Sequence, residues 1–402
     1  MAISLVSEPV KTPVSIESNA NAGRSQLPYN FLSTSQLEEN YKVNIDILDE
    51  ADAPLISFTF RYAVKLDGAL FVDVSQALTE LHERDGSQSI LYKLEFWETY
   101  TGFVGAKTKT DTIQSIYARR QILQTGGTSL YEYLADETTL GNVLTFFELP
   151  KCWRRWRRTV SVLIDDDLLT RTSEFRLLAT YLDSAGNYLS DSNEEIIPTT
   201  PGVYDLTVEE PNTGVPATAA FVYCQFLTTV GDFPVLNPVT YKLEDSCKNP
   251  ILIEWLNDLG AWEQYVFDYS QDVQLLASIG IVAEKAITQD YENVTETKIR
   301  LADDYTQSII LQSDNITTPE LNALAQIKRS SSVRVLLDRN GVKFVKVIVR
   351  STLDTTYNTK DARHTFILNI EMPNNFNVYN LIDYVADPLG AHQKIAFTDG
   401  FN

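Results

Sequence analysis

The sequence has few of the residues on which catalysis and metal binding usually depend. Among its 402 residues are 3 cysteines, 3 histidines and 2 methionines. The cysteines are odd in number and lack the C-x-x-C spacing of a zinc site, so they predict neither a metal centre nor a disulfide framework. No nucleophile elbow, zinc-protease helix, phosphate loop or dinucleotide fingerprint is present. The sequence therefore predicts a non-enzymatic protein without a metal or cofactor. The cysteines are Cys152, Cys224 and Cys247, and the histidines, far apart in sequence, are His82, His364 and His392.

Positive charge is also scarce. Lys and Arg total 33 against 54 Asp and Glu, which gives a formal net charge of -21. A surface that binds nucleic acid or anionic lipid needs clustered cations, so this balance predicts neither partner. No window approaches the roughly 20 apolar residues needed to cross a bilayer, and the N-terminus lacks the features of a signal peptide. We therefore expect that the chain is made in the cytoplasm and does not insert into a membrane.

Aromatic and β-branched residues are abundant, with 20 Tyr and 18 Phe. Such residues favour pleated, half-buried surfaces. Apolar residues alternate with polar ones at 43–47, 56–64 and 366–372, which is typical of antiparallel strands. The sequence predicts a mainly β protein with two or three antiparallel β-sandwich or barrel-like domains, a few short helices and extended terminal arms.

The predicted organisation has five segments. Residues 1–30 are polar and proline-containing, and we expect an extended arm that a neighbouring subunit orders, because such a segment buries little apolar area of its own. The others are a β-sandwich domain at 31–150, a β-rich domain at 151–296 that contains an aromatic hairpin at 249–267, a helix and β-hairpin module at 297–373, and a C-terminal arm at 374–402.

The aromatic hairpin is the most distinctive stretch. Two apolar runs, 251–256 and 262–267, flank the turn signals Asn257-Asp258 and Gly260. Burial of each large ring stabilises a fold by roughly 2 kcal/mol or more. Trp255, Trp262 and Tyr265 are therefore the predicted core of an anchoring hairpin.

Residues 151–158 form the main basic cluster of this acidic chain. Trp153, Arg154, Arg155 and Trp156 are the candidate interface residues in it, because Trp and Arg often anchor protein interfaces. One interpretation is a contact with an anion, nucleic acid or lipopolysaccharide. The other, which the net charge favours, is docking on an acidic neighbour such as 165–167 or 191–195 of this or another subunit.

Five local signals concern shorter elements, and the first is Gly186-Asn187, which predicts the turn of a hairpin between 175–183 and 188–190. Ser75 is the predicted N-cap of a short helix. Thr317-Thr318-Pro319-Glu320 predicts a helix start, and Asn340-Gly341 predicts the turn of a hairpin between 333–337 and 342–350. His364 has the parity of a buried strand face, so we expect a hydrogen-bonded histidine at a strand end.

The order of these features resembles tail, neck or baseplate structural proteins of tailed bacteriophages, especially those of Bacteroidota hosts. Residues 249–262 carry most of the likeness, and the helix at 319–328, the hairpin at 333–350 and the strand at 365–372 follow in the same order. The resemblance implies a virion component that assembles with copies of itself in a ring or tube and with other virion proteins. It implies no catalytic residue.

Two other classes remain open at this stage. A carbohydrate-binding or adhesin-like module would use exposed Trp and Tyr rings as stacking platforms. A glycoside hydrolase, the weakest of the three hypotheses, would need two carboxylates facing each other across a cleft. Burial of Trp255 and Trp262 would argue against the carbohydrate platform.

Overall fold

The computed structural model describes most of the chain, and its fold confirms the predicted class. It is mainly β, with several antiparallel sheets and a few short helices. Buried apolar side chains form three large clusters and a small fourth. We call the parts built around the large clusters units 1, 2 and 3. The described residues are 3–9, 14–15, 27–60, 69–118, 143–154, 156–164, 166–171, 174–209, 215–245, 250–267, 270–278, 282–284, 298–300, 304–337, 343–350 and 363–373.

Unit 1 packs two sheets and one helix around a common core. Val43, Ile45 and Ile47 are fully buried in it, as their alternation predicts. One sheet has the order β1 (Ser4–Ser7), β3 (Pro28–Leu32), β6 (Ala69–Asp73). The other has the order β2 (Val14–Ser15), β10 (Ile113–Ile116), β7 (Ser89–Tyr100), β4 (Lys42–Leu48), β5 (Pro54–Phe60), with β8 (Phe103–Val104) and β9 (Thr108–Lys109) also paired to β7.

The described part of the predicted N-terminal arm belongs to unit 1: it pairs with strands of its own chain, whereas the sequence led us to expect that a neighbouring subunit orders it. β1 pairs antiparallel with β3, and β2 pairs parallel with β10. Ile3, Leu27 and Tyr29 are buried in the core of the unit. These few apolar residues suffice to order the segment because they pack into the core of the same chain. The local composition of the segment does not reveal such a contact.

Helix α1 (Ser75–Asp85) closes one side of unit 1. The prediction that Ser75 is its N-cap is wrong, since Val74 holds that position without a side-chain bond. Asp73 caps the helix instead: its Oδ1 accepts hydrogen bonds from the N–H of Ser75 at 3.0 Å and of Leu27 at 3.1 Å. The same carboxylate thus ties the helix start to the N-terminal segment.

Unit 2 is a sandwich that contains the predicted hairpin at one edge of its larger sheet. Strands β13 (Phe175–Leu182) and β14 (Tyr188–Ile196) pair antiparallel, and Asp183 and Asn187 close the turn between them. Its larger sheet has the order β11 (Lys151–Trp153), β17 (Pro234–Glu244), β16 (Phe221–Thr228), β13 (Phe175–Leu182), β14 (Tyr188–Ile196). Its smaller sheet pairs β12 (Arg158–Ile164) with β15 (Gly202–Glu209), and helix α2 (Asp166–Arg171) follows β12.

Unit 3 is a seven-stranded sheet that encloses a single core. The predicted helix start is confirmed, because Thr317 and Glu320 form a capping box at α3 (Thr318–Ala325). His364 is buried as predicted, with its Nε2 2.9 Å from Thr318 Oγ1. The sheet order is β19 (Trp262–Phe267), β18 (Ile251–Leu256), β24 (Val333–Leu336), β25 (Phe344–Val349), β26 (His364–Met372), β23 (Asp304–Ile316), β20 (Ser270–Ser278), and β21 (Val282–Glu284) pairs separately with β22 (Lys298–Arg300).

The predicted division at residue 296 passes through this sheet. β18 of the aromatic hairpin pairs with β24, which the sequence assigns to the next module. The hairpin and that module therefore share one core. Local patterns indicate where strands occur, but pairing between strands about 80 residues apart depends on the tertiary fold. The predicted turn at Asn340-Gly341 and the predicted C-terminal arm lie outside the described residues.

Candidate functional site

The three units meet at a small apolar cluster. We call this cluster, together with the buried polar side chains of Arg158, Asn257 and Glu263 beside it, the junction. Ile116 and Ala118 come from unit 1, Leu163 from unit 2, and Leu259 and Ala261 from the turn of the aromatic hairpin. Gly260 lies between the last two in a left-handed conformation with φ of 83°. A Cβ at this position would lie 2.5 Å from the carbonyl oxygen of Tyr117, so only glycine lets the turn approach unit 1 this closely.

Asn257 organises the turn of the hairpin. Its Oδ1 accepts hydrogen bonds from the N–H of Leu259 at 2.9 Å and of Ala261 at 3.0 Å. Its Nδ2 donates to the carbonyl oxygen of Leu144 at 2.9 Å and to Glu263 Oε2 at 3.0 Å. A single buried amide therefore fixes the turn and attaches it to the segment that precedes unit 2.

Glu263 carries the most enclosed charge at the junction. Its Oε1 lies 3.5 Å from Arg158 Nη2 of unit 2, and both side chains are at most 4% exposed. Thr145 Oγ1 donates to the same oxygen at 2.6 Å, and the Phe146 N–H donates to Oε2 at 3.2 Å. A buried carboxylate with this many donors is adequately compensated, whereas an unpaired one is strongly destabilising.

Arg158 completes this connection between units 2 and 3. Its Nη1 donates to the carbonyl oxygen of Gln264 at 3.2 Å, and its guanidinium lies 5.2 Å from the ring centroid of Tyr241. Burial alone would lower the pKa of Arg158, but the nearby Tyr241 and Glu263 raise it above its ordinary value. The guanidinium is therefore a permanent positive charge inside the protein.

A second polar group links the hairpin to β24. Gln264 Nε2 donates to Glu254 Oε1 at 2.9 Å, and Arg334 Nε donates to Glu254 Oε2. The guanidinium of Arg334 also stacks on Trp262, 3.8 Å from the ring centroid. These contacts explain why β18 is buried along its whole length although Glu254 is charged.

Asp205, on β15 of unit 2, has neighbours in both of the other units. Ser161 Oγ donates to its Oδ1 at 2.5 Å within unit 2. Burial raises the pKa of Asp205, while the hydrogen bond from Ser161, the nearby side chain of Gln88 of unit 1 and the charge of Arg334 act in the opposite direction. Residues of all three units therefore surround one carboxyl group.

The basic cluster at 151–158 acts within the chain. Trp153 and Trp156 are buried in the core of unit 3, although they precede it by about 100 residues. Arg154 Nε lies 3.1 Å from Asp245 Oδ1, and its Nη1 donates to the carbonyl oxygen of Pro216 at 3.0 Å. In its own chain Arg154 therefore pairs with Asp245 rather than with 191–195, and the expected docking of the cluster on another subunit stays a prediction. Arg155 lies outside the described residues.

Of the predicted hairpin-core residues, Trp255 and Tyr265 lie in the core of unit 3, whereas Trp262 is half-buried and packs against the core of unit 1. Trp255 is fully buried, and Tyr265 is buried with its hydroxyl 2.8 Å from Ser313 Oγ. The ring of Trp153 packs edge-on against Tyr265 at 5.5 Å between centroids. Lys151 reinforces this contact, because its Nζ lies 5.6 Å from the Tyr265 ring and 2.8 Å from Glu320 Oε1 of α3.

The burial of the tryptophans argues against a carbohydrate platform. Three of the five, Trp153, Trp156 and Trp255, are buried. The other two, half-buried, each have a cation over the ring: Arg334 on Trp262, and Lys107 at 4.2 Å from the centroid of Trp97. A stacking sugar would have to displace these cations or reach the opposite ring face.

A cavity of about 250 Å³ lies between α1 of unit 1 and strands β19, β24 and β25 of unit 3. Tyr117 crosses it, because its hydroxyl lies 3.2 Å from Glu83 Oε1 and also hydrogen-bonds to Ser331 Oγ. Trp262 and Lys346 line the opposite side. The groups that line the cavity are thus used in part to join units 1 and 3.

His82 is one of the residues that line this cavity, and its ring is held in one tautomer. Its Nδ1 donates to the carbonyl oxygen of Ser87 at 2.8 Å, so Nε2, 3.3 Å from Ser115 Oγ, accepts from that hydroxyl. Burial lowers the pKa of His82 to about 4, against the weaker influence of Ser87 and Asp85. The imidazole is therefore neutral near pH 7 and serves a structural purpose.

Searches for other kinds of site give two limited findings. Within the described ranges, no group of three or more His, Cys, Asp or Glu side chains has the geometry to hold a metal ion. The helices in the same ranges include none with the length and apolar character of a membrane span.

Comparisons with known proteins assign no family. No protein-family model and no curated protein matches the sequence. Among solved structures, the chain is similar to the chicken interferon gamma receptor alpha chain, with 11% identity over 56% of this chain and 89% of that chain and a TM-score of 0.17. So low a TM-score carries no argument about function. What can be stated is the class: a mainly β protein of several antiparallel sheets.

Sequence reasoning missed the polar part of the junction. Arg158, Asn257 and Glu263 were not among the candidate residues, although all three are at most 3% exposed. One signal was available: Glu263 and Gln264 interrupt a strand that is otherwise aromatic and apolar. Two adjacent polar residues on a strand face opposite sides, so a strand enclosed on both faces needs a partner for each of them.

Proposed function

We propose that this chain is a non-enzymatic structural protein that works by assembling with copies of itself and with other proteins, as a tail, neck or baseplate component of a tailed phage. The observation that carries the proposal is the junction: the buried Glu263 of the aromatic hairpin pairs with Arg158 of unit 2, and the turn of the same hairpin packs closely against Tyr117 of unit 1. Its carboxylates and amides have hydrogen-bond partners inside the protein, which is the use expected of groups that maintain an architecture.

A fixed arrangement of units is what a closed assembly requires. In a ring or tube, each subunit presents surfaces at set angles, and a subunit with loosely linked domains would not close reproducibly. Contacts between domains are ordinarily modest and allow relative motion. The Arg158–Glu263 pair between units 2 and 3 and the close approach of Gly260 to Tyr117 of unit 1 oppose such motion here. The resemblance of residues 249–262 to phage tail proteins supports the same proposal and suggests the kind of particle.

The test is the mass and shape of the purified full-length chain. We expect multi-angle light scattering to give a discrete multiple of the chain mass, or reversible growth with concentration, and negative-stain electron microscopy to show rings or tubes. A folded chain that remains monomeric from micromolar to near-millimolar concentration would refute the proposal. Glycan-array binding by that monomer would instead favour the carbohydrate-binding module.

A further inference from the structure

We propose that strand β5 (Pro54–Phe60) is a self-association edge, through which two copies of this chain pair β5 against β5 in antiparallel orientation around Ser57. The inference rests on the proposed assembly role and specifies its partner, a second copy of this chain, and its surface. It concerns unit 1, away from the junction.

β5 is the last strand of its sheet and has no charged side chain. Within the described residues it is hydrogen-bonded to β4 on one side and to no strand on the other. Its seven residues, Pro-Leu-Ile-Ser-Phe-Thr-Phe, include no charge. Proteins usually protect a free edge with charged side chains, because its N–H and C=O groups otherwise pair with another chain.

The corresponding edge of unit 2 shows the usual protection. β14 also ends its sheet, and it carries the exposed Asp191 and Glu195. In an acidic chain these carboxylates repel the same edge of another copy. The two edge strands therefore differ in charge: β14 carries acids that oppose pairing with a second copy, and β5 carries none.

The sequence of β5 is complementary to itself. An antiparallel pair centred on Ser57 places Ile56 opposite Phe58 of the second copy, and Leu55 opposite Thr59 of the second copy. Ile56 and Phe58 lie on the core-facing side and are only half-buried at the rim of the unit 1 core. Pairing would continue that apolar face into the second copy and cover both rims, and such cross-strand apolar contacts are stabilising.

Local charge allows the approach although the whole chain carries -21. Asp46 lies directly opposite Ser57 on β4, and Lys107 Nζ lies 3.4 Å from its Oδ2. Around it, three lysines pair with three acids, so these acids are compensated. These residues are Lys93, Lys107 and Lys109 with Asp46, Asp52 and Glu95. This pairing reduces the electrostatic repulsion between two copies that approach at β5.

A cysteine cross-link tests the pairing and its register. In a Cys247→Ser background, Ser57→Cys would place two thiols on directly opposed residues, whose Cα separation of about 5 Å suits a disulfide. Thr59→Cys is the matched control, since two such residues would be four positions out of register, about 13 Å apart along the strand. Both positions are exposed, and Cys152 and Cys224 are buried. We expect a covalent dimer on a non-reducing gel from the Ser57→Cys chain only. Cross-linking of both variants or of neither, in chains with native circular dichroism, would overturn the inference.

A charge substitution provides the second measurement. Ser57→Lys brings two ammonium groups together at the centre of the pair, and we expect sedimentation analysis to show at least tenfold weaker self-association. Ser192→Lys makes the same change at an exposed site on β14 and should leave association unchanged. If wild-type assemblies form and Ser57→Lys does not weaken them, the β5 pairing is refuted while the proposed function stands. A wild-type chain that never associates refutes both.

Discussion

Removal of Arg158 is the perturbation that most directly tests the junction. Arg158→Met keeps much of the side-chain volume but leaves Glu263 without its cation in a site where both side chains are at most 4% exposed. Loss of one partner from a buried pair typically costs 3–5 kcal/mol, because the remaining charge is uncompensated. Thr145, Phe146 and Asn257 still donate to Glu263, so we expect a loss near the lower limit, about 3 kcal/mol.

The assay is urea unfolding followed by tryptophan fluorescence and circular dichroism, with the midpoint and slope compared between variants. Glu244→Gln is the matched control, since Lys242 and Glu244 form an ion pair at 2.7 Å on the surface. An exposed pair contributes less than about 1 kcal/mol. The double variant Arg158→Met, Glu263→Gln removes the unpaired charge and keeps a side-chain acceptor. We expect it to recover at least half of the loss.

Two results would refute this reasoning. One is an Arg158→Met variant no less stable than Glu244→Gln, which would mean that the buried pair contributes little. The other is a double variant less stable than Arg158→Met alone, which would mean that Glu263 does not depend on the cation. Either result would also weaken the proposal that the junction fixes the three units.

Three further predictions concern single residues. The pKa of His82 is lowered to about 4 in the folded chain, so between about pH 6.5 and pH 4 the unfolded chain binds a proton at this residue and the folded chain does not. The free energy of unfolding should therefore fall by roughly 3 kcal/mol between pH 7 and pH 4. In urea titrations at several pH values, His82→Gln should reduce this dependence of stability on pH. Gly260→Ala should destabilise more than Gly186→Ala, because both have left-handed backbones but only the new Cβ at Gly260 would meet Tyr117, and equal thermal shifts would contradict this. Thr317→Ala should lower stability by about 1 kcal/mol through loss of the helix cap, whereas Thr317→Ser should retain most of it in the same melting experiment.

Local elements of this protein follow from the sequence. Alternation at 366–372 predicts the strand β26, and the Thr317 to Glu320 pattern predicts the cap of α3. Turn residues predict both the aromatic hairpin and the β13–β14 hairpin. These predictions succeed because side-chain period, capping and turn geometry are set by residues within a few positions of one another.

The tertiary structure alone decides which distant residues meet. The burial of Trp153 and Trp156 in unit 3, the pairing of β18 with β24 and the Arg158–Glu263 contact join residues tens to hundreds of positions apart. The sequence identifies Trp and Arg as anchors but cannot say whether they bind a neighbour in the same chain or in another. That choice depends on the free energy of the whole fold, in which a distant partner of the same chain competes with solvent and with other molecules.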